Sequence, residues 1–167
     1  MNAARVQVRT AVASDLDAVV ALERVAENAP HWPEATYAAI LSSQSAEGAP
    51  ATHRCLIVAE ADDELVGFAV GVVQPAGDAP GMDRLAELES VVVAVDARRA
   101  GIGRALCGTV LEWCRMQGAA EVVLEVRAAS SGAIALYEGL GFKLVGRRPR
   151  YYCDPEDDAL MMRLRPR

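Results

Sequence analysis

The chain of 167 residues holds a single lysine, Lys143, two histidines, His31 and His53, and four cysteines, Cys55, Cys107, Cys114 and Cys153. Each scarcity excludes something. With no Gly-Lys-Ser/Thr triplet there is no P-loop for a nucleoside triphosphate. No two cysteines form a CxxC pair and the histidines are few, so no metal is expected. Cys107 and Cys114 fall seven apart on an expected helix, too far to bridge each other, and read as small buried hydrophobes. No apolar run approaches the roughly 18 residues of a membrane helix. Met1 to Thr10 is polar and alternating, unlike the apolar stretch of a signal peptide. A cytoplasmic protein with no membrane partner is expected. Excess positive charge is also lacking. The formal net charge of -6 argues against a nucleic-acid partner.

Hydrophobic residues make up 52% of the chain and charged ones 24%, a globular composition. The length fits a single domain over 1–167, large enough to bury a core without staples. It is expected to be a monomer or weak homodimer.

Alternation predicts a strand near 5–10. Ser14 is the expected N-cap of a first helix running to about Asn28. Pro33 opens a second helix ending near Leu41. Residues 42–52 read as a loop. Cys55 to Ala59 and Leu65 to Val73, joined at Asp62-Asp63, form a β-hairpin. Gly67 and Gly71 within the second strand point to a bulge or a close approach. A second loop spans 75–83. Leu88 to Val95 is a β-branched central strand. A helix follows over about 101–117 and stops at Gly118. Then come a strand at Val122 to Val126, a short helix from Ser131 to Leu140, and strands near 142–150 and 159–165, with a turn at Asp154 to Asp157. The order β-α-α-β-β-β-α-β-α-β-β defines a mixed α/β layer structure.

Between the central strand and its helix lies Arg98-Arg99-Ala100-Gly101-Ile102-Gly103. A helix N-terminus offers unpaired N–H groups and a partial positive charge. Glycines let an anion approach that backbone. Arg98, Arg99 and Arg104 add charge. A dinucleotide loop would need glycine where Leu106 stands. The residues alone fit either a phosphate site or a tight turn with exposed arginines.

Arg98-x-x-Gly101-x-Gly103 after a β-branched strand resembles the acetyl-CoA motif of the GNAT acetyltransferase superfamily. Leu124-Glu125-Val126-Arg127 and the run Ala133-Ile134-Ala135-Leu136-Tyr137-Glu138-x-Leu140-Gly141-Phe142 resemble its RimI branch, which acetylates the N-terminal amine of a ribosomal protein. The resemblance extends to Tyr151-Tyr152 and Asp158-Ala159, and touches Trp32-x-Glu34. It is close over about 88–165. It implies an α/β (mixed α+β) GNAT fold, with a mostly antiparallel sheet of about seven strands flanked by four helices. It also implies acetyl-CoA as cosubstrate. The pyrophosphate would lie on Arg98, Arg99, Ala100, Gly101, Ile102, Gly103 and Arg104, and the pantetheine arm would pair with Val91 to Val93. Ser130 stands where the RimI pattern has a cofactor-holding asparagine. The implied acceptor is a protein N-terminal amine. A small amine or a lysine side chain is the alternative, and a coenzyme-A-binding module without catalysis is a third reading.

Strand alternation puts Val122, Leu124 and Val126 on one face and Glu125 on the other. From the residues alone Glu125 is a surface carboxylate beside a cross-strand arginine. The resemblance makes it the base that takes the amine's proton. Tyr137 reads as helix-face packing, and the resemblance makes it the acid for the departing thiolate. Glu87 and Glu89 share a strand face, and either could assist or replace Glu125. Glu89, Tyr151 and Tyr152 are candidate acceptor contacts, with edge-strand packing the alternative for the tyrosines. Arg147-Arg148-Pro149-Arg150, with Arg163, Arg165 and Arg167, reads as a solvated strand and tail in preference to an anion site. The loop at 75–84 lies on the acceptor side and looks longer than in RimI.

Overall fold

The computed structural model describes residues 5–27, 29–44, 51–77 and 83–165. The elements are β1 (Val6–Thr10), α1 (Leu16–Val25), α2 (Glu34–Gln44), β2 (His53–Ala61), β3 (Glu64–Pro75), β4 (Arg84–Val93), α3 (Ile102–Met116), β5 (Ala119–Arg127), α4 (Ser131–Gly139), β6 (Lys143–Cys153) and β7 (Glu156–Leu164). Short 3-10 turns at Ala13–Asp15 and Val95–Ala97 precede α1 and the glycine loop. The element order is the one the sequence pattern gives. One seven-stranded sheet runs β1-β2-β3-β4-β5-β7-β6. Only the central β4–β5 pair is parallel.

Several boundaries differ, each for a tertiary reason. Ser14 does not cap α1. Asp15 is the N-cap residue and makes no side-chain capping bond; its carboxylate instead accepts the Val12 N–H at 2.8 Å and a two-pronged bond from Arg9 at 2.7 and 2.9 Å. α1 stops at Val25, short of Asn28, because Ala26 is already extended; Asn28 itself lies outside the described residues. α2 continues past Leu41 to Gln44, whose Oε1 accepts the Leu56 N–H at 2.7 Å and ties the helix end to β2. β4 begins at Arg84 rather than Leu88, because its pairing with β3 continues to Pro75↔Arg84. Only Asp154-Pro155 forms the last turn, since Glu156 and Asp157 already pair with Cys153 and Tyr152. Of the loop expected at 75–84, residues 78–82 lie outside the described residues.

The sheet separates two apolar layers. On one face Cys55, Ile57, Ala69, Leu88, Val122, Leu124 and Val126 pack against Ile102, Leu106, Cys107, Val110 and Cys114 of α3. Cys55, Cys107 and Cys114 are buried free thiols, pushed up to about 12 by desolvation. The other face packs Leu56, Val58, Phe68, Val70 and Val92 against Val19, Val20, Tyr37, Ile40 and Leu41 of α1 and α2. The two β3 glycines explain how α3 comes so close. A Cβ on Gly71 would stand 2.6 Å from Val110 Cγ1, and one on Gly67 would stand 2.8 Å from the Val92 carbonyl oxygen.

Candidate active site

The parallel β4–β5 ladder ends early. It pairs Arg84↔Ala119, Leu85↔Glu121, Ala86↔Val122 and Glu87↔Val123, and goes no further, although β4 runs to Val93 and β5 to Arg127. Beyond that point β4 stays bound to β3, and β5 to β7. The sheet therefore forks at its centre. A bulge contributes to the parting: Val70 pairs with Ser90 and Gly71 with Leu88, so Glu89 has no residue opposite it on β3. Inside the fork, the β4 backbone from Leu88 to Val93 presents N–H and C=O groups that no described strand pairs. Val91 and Val93 sit on this edge.

At the far end of the fork lies the glycine loop. Gly101 has φ 77° and Arg99 φ 62°, left-handed geometry that turns the chain sharply into α3. A Cβ on Gly101 would meet nothing within 4 Å, so the loop is open above it. The first helical bond runs from the Ala105 N–H to the Gly101 carbonyl at 3.0 Å. The amides of Ile102, Gly103 and Arg104 thus have no acceptor in the helix and point to its N-terminal end. A Cβ on Gly103 would lie 3.4 Å from Leu136 Cδ2 and 3.8 Å from Val93 Cγ2, which places this end against α4 and the tip of β4. Arg98 folds back, its Nε donating to the Val93 carbonyl at 3.2 Å, and Arg99, Ala100 and Arg104 stand around the loop. Ser130 occupies the N-cap of α4, but its hydroxyl makes no capping bond.

Three carboxylates face the fork from the α1–α2 side, opposite the buried Ala86, Leu88, Leu124 and Val126. Glu89 takes a two-pronged bond from Arg54 at 2.7 and 3.0 Å, and the Arg54 guanidinium lies over Trp32 at 5.9 Å. Glu125 pairs with Arg148 at 3.4 Å, and that guanidinium lies over Tyr151 at 5.5 Å. Glu87 has no cationic partner among the described residues. Burial, then Glu89 and Glu125, hold its carboxyl above the ordinary range, against the opposing pull of Arg54. The site is therefore one unpaired carboxylate between two carboxylate–arginine–aromatic stacks.

Tyr137 lies half-buried on α4, edge-on to Phe142 at 5.9 Å between ring centres. Desolvation, Cys107 and Tyr152 all raise its phenol well above the usual value, so it remains protonated through and beyond neutral pH. Tyr152 stands between the two halves: Arg127 covers its ring at 4.1 Å, and burial and Glu125 raise its hydroxyl. Tyr151 packs edge-on to Tyr152 at 5.2 Å and is itself exposed. The fold thus brings Glu87, Glu89, Glu125, Tyr151 and Tyr152 to one side of the fork and the 98–104 loop to its end.

A model of the acetyltransferase (GNAT) family matches residues 17–142. The N-alpha-acetyltransferase of Sulfurisphaera tokodaii is 33% identical over 162 residues, spanning 93% of this chain and 90% of that one. The chain belongs to the GNAT acetyltransferase family. An uncharacterized protein of Mycobacterium leprae is 34% identical over 132 residues, and there the match covers only 33% of the relative's length. Among solved structures, the ribosomal-protein-S18-alanine N-acetyltransferase of Escherichia coli superposes with a TM-score of 0.73 at 29% identity, over 96% of this chain and 94% of that one. The seven-stranded, mostly antiparallel sheet with four helices is the GNAT fold the motifs imply.

Within that family frame, Arg54 is not singled out by the sequence, and Arg148 stands there only as part of a solvated basic run, not as the partner of Glu125. Neither belongs to a motif, and each reaches its carboxylate from a different strand: Arg54 on β2 to Glu89 on β4, and Arg148 on β6 to Glu125 on β5. The cross-strand arginine anticipated for Glu125 exists, but β7 lies between the two strands. The basic run on β6 is a strand of ion pairs: Arg147 to Asp158 at 2.5 Å and Arg150 to Glu156 at 3.2 Å. Arg163 and Arg165 both lean on Glu121, at 3.7 and 3.5 Å.

Proposed function

We propose that this chain transfers an acetyl group from acetyl-CoA to a primary amine, the α-amine at the N-terminus of a protein. The forked sheet carries this reading. It presents an unpaired strand edge and an amide-lined helix N-terminus toward one ligand, and a set of carboxylates toward another.

The residues present fit coenzyme A. The open loop over Gly101 and the free amides of Ile102, Gly103 and Arg104 suit a pyrophosphate, with Arg98, Arg99 and Arg104 supplying charge and Ala100 the turn. The edge at Val91 and Val93 suits the amides of a pantetheine arm. Ser130, uncommitted at its hydroxyl, stands at the start of α4. Acetyl-CoA supplies an acyl thioester, and the chain must place an amine beside it, remove the amine's proton and protonate the leaving sulfur.

The carboxylates favour a cationic acceptor and supply the base. Glu125, on the fork's β5 arm, takes the proton directly or through a water, and Glu87 keeps the negative potential there high. Tyr137, held protonated, gives its proton to the departing thiolate. Glu89, Tyr151 and Tyr152 line the acceptor's path. An α-amine, with pKa about 7.7–8, is cheaper to deprotonate at neutral pH than a lysine side chain at about 10.4, by about 3.5 kcal/mol. A site with modest bases therefore suits an N-terminus. The family relatives support the same acceptor class, since two of them are named for N-terminal or alanine N-acetylation.

The test is thiol release from acetyl-CoA with peptides starting in Ala, Ser or Gly, with lysine-bearing blocked peptides and with small amines. Turnover with free peptide N-termini is expected. Turnover with small amines alone would overturn the acceptor assignment, and tight coenzyme A binding without any turnover would overturn transfer itself.

A further inference from the structure

The pairing of Glu125 with Arg148 creates a difficulty that the structure also resolves. A base held by a guanidinium at 3.4 Å is not free to receive an ammonium. Arg148 is not held firmly. Its side chain is 52% exposed, it touches Glu125 by a single ion pair, and its other contact is the face of Tyr151. By contrast, Arg54 binds Glu89 through two nitrogens. One stack is built to stay and the other to open.

The backbone around Arg148 is specifically shaped. The β6–β7 register slips between Arg148 and Tyr152, so β6 bulges outward there. Arg150 has φ 54°, and its N–H donates to Asp158 Oδ1 at 2.9 Å, while Arg147 Nε donates to Asp158 Oδ2. Asp158 thus clasps the bulge from β7. Arg148 stands at the near edge of this bulge, two residues from the left-handed Arg150, and reaches across β7 to Glu125.

We propose that Arg148 is an exchange residue that selects the acceptor: the incoming ammonium replaces its guanidinium on Glu125, and the released Arg148 binds a negative group on the residue that follows the acceptor's amine. Charge balance supports the second half. Around this lip Arg127, Arg147, Arg148 and Arg150 stand among Glu156, Asp157, Asp158 and Glu125. Arg147 and Arg150 keep their own carboxylates, Asp158 and Glu156. Asp157 is occupied by the Ala129 and Asp158 amides. Arg127 donates to the Pro155 carbonyl at 3.0 Å and covers the Tyr152 ring. Once Glu125 turns to the ammonium, Arg148 has neither a carboxylate nor a carbonyl partner among the described residues. An acidic second residue supplies one, and a basic second residue adds repulsion.

The inference rests on the transfer reading above, and the experiment separates the two. Peptides of one sequence carrying Asp, Ala or Lys at the second position are acetylated by the wild-type chain, Arg148→Ala and Arg148→Lys. The wild type is expected to prefer Asp over Lys by about fivefold in kcat/KM, through KM, the scale of a partly exposed ion pair. Arg148→Ala should level that ratio while lowering KM for the Ala peptide, because the competitor for Glu125 is gone. Arg148→Lys should restore part of the preference. A ratio unchanged in Arg148→Ala, or a loss confined to kcat for all three peptides, overturns the exchange while leaving transfer standing. Absence of thiol release from the wild type with every peptide overturns both.

Discussion

At the scale of single residues, the site separates three chemically identical glutamates by their neighbours. Glu89 is fixed by Arg54, Glu125 is loosely held by Arg148, and Glu87 is unpaired. With Glu125 as base, Glu125→Gln should lower kcat by about 100-fold with little change in KM for acetyl-CoA. Single-turnover thiol release measures it. Glu87→Gln has a different signature. Its folded-state carboxyl is raised, so its contribution to stability is present at low pH and lost as pH rises through the folded value. The glutamine variant should therefore melt higher than the wild type at neutral pH, an advantage that disappears in acid. A higher melting point in acid but not at neutral pH would contradict the unpaired, half-buried carboxylate. Tyr137→Phe should reduce kcat about tenfold or more in single-turnover thiol release, because the phenol's proton would no longer be available to the departing thiolate.

At the scale of elements, the fork depends on how closely α3 approaches β3 and β4. Gly67 and Gly71 create that space, and Phe68 and Val70 between them face the opposite layer. Gly67→Ala forces a Cβ to within 2.8 Å of the Val92 carbonyl, in the strand that forms one arm of the fork. It should cost about 2 kcal/mol in chemical denaturation. It should also raise KM for acetyl-CoA, since Val91 and Val93 lie beside the displaced carbonyl. Much of this scale was legible in the chain. Gly67 and Gly71 inside a strand point to a bulge or a close approach, Gly118 ends α3 at φ 79° as a helix stop should, and alternation in Val122 to Val126 puts Glu125 outside the core. The β3–β4 register slips at Gly71, one of the two glycines that point to a bulge or a close approach, but that the residue left unpaired is Glu89 was not legible, because it depends on how two strands align.

At the scale of the whole molecule, one ion-pair cluster fastens the first strand to the rest. Arg9 bonds Asp15 at 2.7 and 2.9 Å and Glu60 at 2.9 Å, joining β1, the start of α1 and β2. The Arg9 guanidinium holds the Asp15 carboxyl below the usual range, burial opposes it, and the Val12 amide adds to the lowering. A depressed carboxylate gives stability that is present above its unfolded value, about 4, and is lost as pH falls through the folded one. Asp15→Asn should cost about 2 kcal/mol at pH 7 through the lost charge-assisted bonds. The gap from the wild type should close in acid. Thermal melts from pH 7 to pH 2.5 would show it, and a gap constant across that range would rule out the carboxylate as its source.

The sequence by itself determined the order of elements, the face of each strand and the glycine turn before α3, because periodicity, glycine and proline act over a few residues. Its motifs also carried the family, which the 17–142 match then bore out. Only the tertiary structure decided where the β4–β5 ladder stops and which carboxylate is paired with which arginine. Those outcomes depend on groups distant in the chain meeting across the sheet, as Arg54 and Glu89 do, 35 residues apart with β3 between their strands. No local pattern encodes such a meeting, and the whole sheet must assemble before the site has its charge.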